Sequence, residues 1–222
     1  MSAHTALPRV QPRAALPCAQ VRLADMAASG CLGVGVPRRL GGQGGQLEDL
    51  FRDPGARHWL QGLHPADRLV FLSQRLVVEA LVRTDNIGLR ELHLPDLLGG
   101  ATAGASALES PPLEARTMGL GWQFHGLLRG VPNLQWDGFS LLLPVQTAGQ
   151  IEGMLLVRSE ENGLTVHPGE NPDLWSSAAC GDVQFQQTFL RADEWLGDQP
   201  LWSSLVQTHQ MLRAGLHHLP HP

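Results

Sequence analysis

The sequence predicts an α+β fold in which a helical first half leads into a mostly antiparallel β domain and the chain returns to helix at its end. Three observations carry this. Apolar residues keep a three-to-four-residue spacing before about residue 100. From Gly119 they fall into short runs bounded by Gly, Pro or Asn. After Gln199 the helical spacing resumes. With 222 residues, 43% hydrophobic and 17% charged, the chain can bury a core without disulfides or metals.

Residues 1–18 read as a disordered leader: they are punctuated by Pro8, Pro12 and Pro17, hold no acid and contain no continuous apolar run. A short helix is expected over Ala19 to Ser29, with Val21, Leu23, Met26 and Ala27 near one face and Gly30 as its stop. The stretch Gly30 to Gly45, rich in glycine and holding Pro37, cannot be a helix interior and reads as a turn-rich connection. A strong helix follows from Pro65 to Arg83, with Pro65 at its first turn and Asp67 at the positive end of its dipole. Leu69, Leu72, Leu76 and Ala80 form its stripe. A further helix is expected over Asn86 to Leu98, interrupted near Pro95. The helical domain is therefore bounded at 19–118.

The β domain is placed at 119–197. Five strands are read from QFHGLLRG, GFSLLLPV, EGMLLVRS, GLTVHPG and DVQFQQTFL. The last puts Val183, Phe185 and Phe189 on one face. In 198–222, Pro200 opens a helix whose Leu201, Leu205 and Leu212 share a face with Trp202 and Val206. That stripe needs a surface to cover it: the N-terminal domain, a second copy or a separate partner.

Composition excludes several function classes. All 16 cations are arginine, so Schiff-base, P-loop and general-base lysines are absent. A net charge of −5 with scattered arginines argues against nucleic acid as a partner. No apolar run suits a membrane span. Cys18, Cys31 and Cys180 are odd in number and widely spaced, which suggests incidental thiols in a cytoplasmic protein. His217, His218 and His221 read as tail histidines, so no metal site is expected. Proline follows the glycines at Gly33 and Gly35 where a dinucleotide-binding helix would begin, and this removes the Rossmann reading.

Four segments do carry a resemblance. SGCLGVGVPRRLGGQGG, LRELHLPDLLGGATAGASALESP, GWQFHGLLRGVPNLQWDGFSLLLP and GDVQFQQTFLRADEWLG resemble, in that order, signature stretches of the acyl-CoA dehydrogenase family. The resemblance covers most of Ala19 to Gly197. It implies an N-terminal helical domain, a β-barrel-like middle domain and a C-terminal four-helix domain, of which 198–222 would be the first helix. It implies FAD, an acyl-CoA or related thioester as substrate, and α,β-dehydrogenation: a carboxylate takes the α-proton and the β-hydride passes to flavin. It also implies a homo-oligomer, or a partner subunit that supplies the remaining helices.

By the same resemblance, cofactor-binding positions fall at Leu108, Glu109, Val131 and Asn133. The departures are specific. Glu109 stands where the family has a flavin-bonding threonine, and Glu114-Ala115-Arg116 replaces its gly-ser-asp. Leu128, Gly130 and Pro132 take the places of its lysine, tryptophan and threonine. Trp136 is not expected to stand in for the missing indole. The chain has no Asp or Glu after Asp198, so no catalytic residue is assigned. His209 is read as a solvated histidine on a helix face. The expectation is an acyl-CoA dehydrogenase-like flavoprotein, inactive alone; the alternative is a non-catalytic remnant that binds a ligand or a partner.

Overall fold

The computed structural model describes residues 19–135 and 138–219. The leader, Trp136 and His221 therefore lie outside the described residues. Helix α1 spans Ala19–Ala28 and buries Leu23 and Met26. The glycine-rich stretch folds as two 3-10 turns joined by a bridge between Val34 and Gly44. Two short helices follow, α2 (Asp49–Arg52) and α3 (Pro54–Gln61), neither of which the periodicity foretold. Their signal was local: the Asp53 carboxylate caps Ala56 N–H, and Pro54 sits in the first turn.

Helix α4 (Pro65–Arg83) is the central post. Its buried residues occur on all sides and include Gln74, Arg75 and Glu79 as well as the expected leucines. Helix α5 (Ile87–Leu98) runs through Pro95 without a break, where an interruption was expected. Proline removes one N–H there, and the carbonyl it leaves belongs to exposed Glu91, which water can serve.

Eight strands form two four-stranded sheets. The first has the order β1 (Ala103–Ser106), β4 (Phe139–Thr147), β5 (Gln150–Arg158), β8 (Trp195–Asp198). The second has the order β2 (Ala115–Met118), β3 (Gly121–Val131), β7 (Gly181–Arg191), β6 (Leu164–Pro168). All five expected strands are present. Strands β1 and β2 precede Gly119, so the sheets begin earlier than the sequence pattern placed them. Pairing is antiparallel except that β1 runs parallel to β4. Helix α6 (Pro172–Ala178) interrupts the β region. Phe124 and Phe185 fill the interior, and Trp122 of β3 stacks on Trp195 of β8 at 4.7 Å, tying the two sheets together.

Helix α7 (Gln199–His217) docks within the chain. Leu205, Leu212 and Leu216 are buried. Arg68 of α4 donates to the Leu216 carbonyl at 2.9 Å, and Arg83 donates to the Ser204 hydroxyl at 3.2 Å. A Cβ at Gly215 would lie 2.4 Å from the Phe51 ring, so only glycine allows this approach. Helix α4 and strand β5 thus cover the inner part of the stripe, while Leu201, Trp202 and Val206 stay partly exposed.

The densest polar contacts radiate from α4. Arg75 donates to the carbonyls of Leu32 and Val34 at 2.8 and 2.6 Å, and to Glu79 at 2.7 Å; Glu79 also receives Arg83 at 2.8 Å. Arg75→Ala would strand two buried carbonyls and leave Glu79 with one cation. We expect a loss of about 3–5 kcal/mol, read by urea unfolding. A loss within that of a surface substitution would refute the clamp.

Candidate functional site

The four positions marked by the resemblance divide into two pairs. Asn133 and Val131 are fully buried. Asn133 takes a positive φ of 61° at the end of β3 and points inward. Its amide donates to Gln74 Oε1 at 2.9 Å and to the Gly104 carbonyl at 3.0 Å. Gln74 in turn donates to the carbonyls of Leu97 and Thr102 and accepts Gly104 N–H at 2.6 Å. Asn133 N–H donates to the Ala178 carbonyl. Asn133 is a joint between α4, β1 and α6.

Leu108 and Glu109 follow β1 and reach the surface of a different junction. Leu69, Leu72 and Leu76 of α4, Leu108, Pro132 and His209 of α7 enclose a small apolar cavity of about 20 Å³. Glu109 closes its mouth. Its Oε1 accepts a hydrogen bond from Arg213 and lies 3.4 Å from His209 Nε2. The glutamate and arginine side chains are half-exposed or more, whereas the His209 side chain is only 11% exposed. His209 is therefore not the solvated residue the sequence suggested: α7 turns it inward against α4 and Glu109. Burial holds its pKa below the ordinary imidazole range; Glu109 opposes this and Arg213 adds to it.

Gly130, at the family's tryptophan position, has φ 64° and open space where a side chain would begin. Its N–H is held by Asp182 at 3.0 Å. A cleft of about 260 Å³ lies beside it, lined by Arg129, Leu174 and Cys180, with an Arg129–Glu170 ion pair of 2.6 Å at the rim. Burial pushes the Cys180 thiol upward, which makes it a poor nucleophile. A wider cleft of about 720 Å³ runs along the glycine-rich turns and shares no lining residue with these. It mixes Arg38 and Arg52 with Asp49 and Asp53, and both carboxylates already accept backbone N–H groups. His217 and His218 are exposed, and the described residues hold no cluster suited to a metal ion. No described helix is long and apolar enough to cross a membrane.

The sequence alone did not reveal the Glu109–His209–Arg213 cluster. Glu109 is 104 residues from Arg213, and no local pattern joins them.

The helical layer, the two sheets and the returning helix superpose on solved acyl-CoA dehydrogenases. The chain has that fold over the part it spans. Against the glutaryl-CoA dehydrogenase of Mycobacterium smegmatis in complex with FADH2, the TM-score is 0.71 at 18% identity, over 88% of this chain and 53% of that one. Against the butyryl-CoA dehydrogenase of Megasphaera elsdenii it is 0.70 at 15% identity, over 87% and 55%. Against the ChsE4–ChsE5 complex of Mycobacterium tuberculosis it is 0.64 at 17% identity, over 87% and 52%. The chain thus spans little more than half the length of these proteins. No family model and no curated protein matches the sequence.

The inward His209 gives a pH test. Its folded pKa is depressed, so the unfolded chain binds the proton more readily below about pH 6.5. Its contribution is present above that value and is lost as pH falls through it. We expect the thermal midpoint to drop between neutral and mildly acid pH, and His209→Gln to flatten part of the drop. His93, also held down by burial, leaves a residual slope of the same sign. An unchanged slope in His209→Gln would place the linkage elsewhere.

Proposed function

We propose that this chain is an acyl-CoA dehydrogenase-like subunit without flavin chemistry of its own, acting as a binding or partner subunit, with the cytoplasm as its compartment. The observation that carries this is the closure at Glu109. The space at Leu108 is about 20 Å³, whereas a cofactor-sized ligand needs several hundred Å³. Glu109 brings a carboxylate to a position where a reduced, anionic flavin would be repelled. Gly130 offers no aromatic face and Pro132 no N–H. The Asn133 amide N–H2 is committed to Gln74 and Gly104, and only its buried Oδ1 lacks a partner within the described residues. The residues present therefore do not fit FAD, and no reaction step is derived through it. His209 and Glu109 are the ionisable groups that line the cavity, and α7 holds no carboxylate to serve as an α-proton base.

One observation favours a second reading, a flavoprotein completed by a partner. The Glu109–Arg213 pair is at the surface, and exposed pairs contribute only about 0–1 kcal/mol. A partner that supplies further helices would open it at little cost.

The deciding measurement is the visible spectrum of the purified chain after incubation with FAD and desalting. We expect a colourless, folded protein. A stoichiometric flavin band that Leu108→Arg abolishes would overturn the proposal and establish the second reading.

A further inference from the structure

The Trp122–Trp195 stack that joins the two sheets also lines an open cleft of about 440 Å³, whose walls carry Glu152 of β5, Asp198 of β8 and no cation. Glycine makes room for it: a Cβ at Gly153 would lie 2.4 Å from the Trp195 ring, so the indole occupies the space above that strand. Trp122 meets it from β3 with the two rings 16° from parallel. Strand alternation turns the nearest arginines away. Thr117 and Trp122 pair on the cleft face, whereas Arg116 opposite Gln123 and Arg191 opposite Gly121 lie on the other. Among the described residues neither Glu152 nor Asp198 has an ion-pair partner. The positive end of α7 reaches the cleft at Gln199. It is equivalent to about half a charge, so the two carboxylates stay in excess.

The polar groups of the cleft select its occupant. The Thr147 hydroxyl donates to Glu152 Oε1, the Trp195 indole N–H donates to Asp198 Oδ1 at 3.1 Å, and the Gln199 amide donates to the Ser203 hydroxyl at 3.0 Å. Those donors are spent, and Glu152 Oε2 and Asp198 Oδ2 are left as acceptors. Two carboxylates repel an anion. The described residues hold no cluster suited to a metal ion. An organic cation uses both features of the cleft: its N–H groups donate to the free carboxylate oxygens, and its apolar stem lies against the indoles. We propose that this cleft binds a small protonated amine with an apolar stem, held by Glu152 and Asp198 beside the Trp122–Trp195 stack. Trp122 is the second residue of β3 and Pro132 follows its last, a separation of roughly 30 Å along an extended strand. The cleft shares no lining residue with the cavity at Leu108 or the cleft beside Gly130. The proposal therefore does not rest on the presence or absence of flavin chemistry.

Titration of the full chain with n-butylammonium tests it, read from the indole N–H signals in proton–nitrogen correlation spectra, with Trp122 and Trp195 assigned from Trp122→Phe and Trp195→Phe. We expect saturable shifts of these two signals, and an affinity that falls with added salt. Glu152→Gln combined with Asp198→Asn keeps an acceptor for Thr147 and for the Trp195 N–H, and both positions are exposed. Circular dichroism checks that this form stays folded, and it should bind the amine at least about tenfold more weakly. n-Butanol has the same stem without charge, and glucose stacks on indoles without charge; neither should shift the two signals. Absence of a saturable shift up to about 100 mM amine, binding of butanol or glucose as tight as that of the amine, or an unchanged affinity in the doubly substituted form would each overturn the proposal.

Discussion

A helix buried on every side has no solvent face on which to place polar groups, and α4 nevertheless carries Gln74, Arg75 and Glu79 in its buried middle. Each is costly unless fully partnered. The partners therefore dictate the arrangement around the helix. Arg75 requires two carbonyls and finds them in the glycine-rich turns, which can approach because they carry few side chains. Gln74 requires acceptors and a donor and takes them from the end of α5, the start of β1 and Asn133. Arg68 and Arg83, at the two ends of the helix, hold α7. Helical layer, sheets and returning helix are each tied to this one element by at least one hydrogen bond.

That constraint bears on the site. Asn133 sits in a motif that the resemblance connects with flavin, yet its amide is spent on the α4 joint, with no exposed surface. Glu109 and Arg213 are the reverse: exposed, paired with each other and dispensable to the core. In the proposed reading Asn133 serves the fold, and Glu109 stands where a ligand contact would otherwise be made. Substitutions at the two kinds of position should therefore separate cleanly, stability following Asn133 and Gln74, ligand behaviour following Glu109.

Much of this architecture was legible. Long amphipathic spacing gave α4 and α7, and apolar runs bounded by turn residues gave β3 to β7. What escaped has physical reasons. Strand β1 is Ala-Gly-Ala-Ser, buried throughout, with no branched or aromatic residue to announce it; a Cβ at Gly104 would already touch Val77 at 3.0 Å. Helices α2 and α3 are too short for a period to show, though the Asp53–Pro54 cap was readable. Pro95 was given too much weight, because the carbonyl it frees is at the surface. His209 was misplaced because helix periodicity reports which face is apolar, not which polar residues that face carries inward with it.

Under the proposed function the fold must stand without a bound flavin. A bound cofactor stabilises a protein by mass action, so a fold that depends on one weakens when the cofactor is lost. Here the contacts that define the fold pass through α4, whose Gln74 and Arg75 find their partners within the chain. The junction at Leu108 is closed by α7, and the inner part of the apolar stripe of α7 is covered by α4 and its neighbours. Under the proposed function, absence of ligand contacts at Glu109, Gly130 and Pro132 leaves the α4 network in place. Under the proposed function the α4 network keeps the surface folded, and the cavity mouth at Glu109 and Arg213 is left to meet a partner.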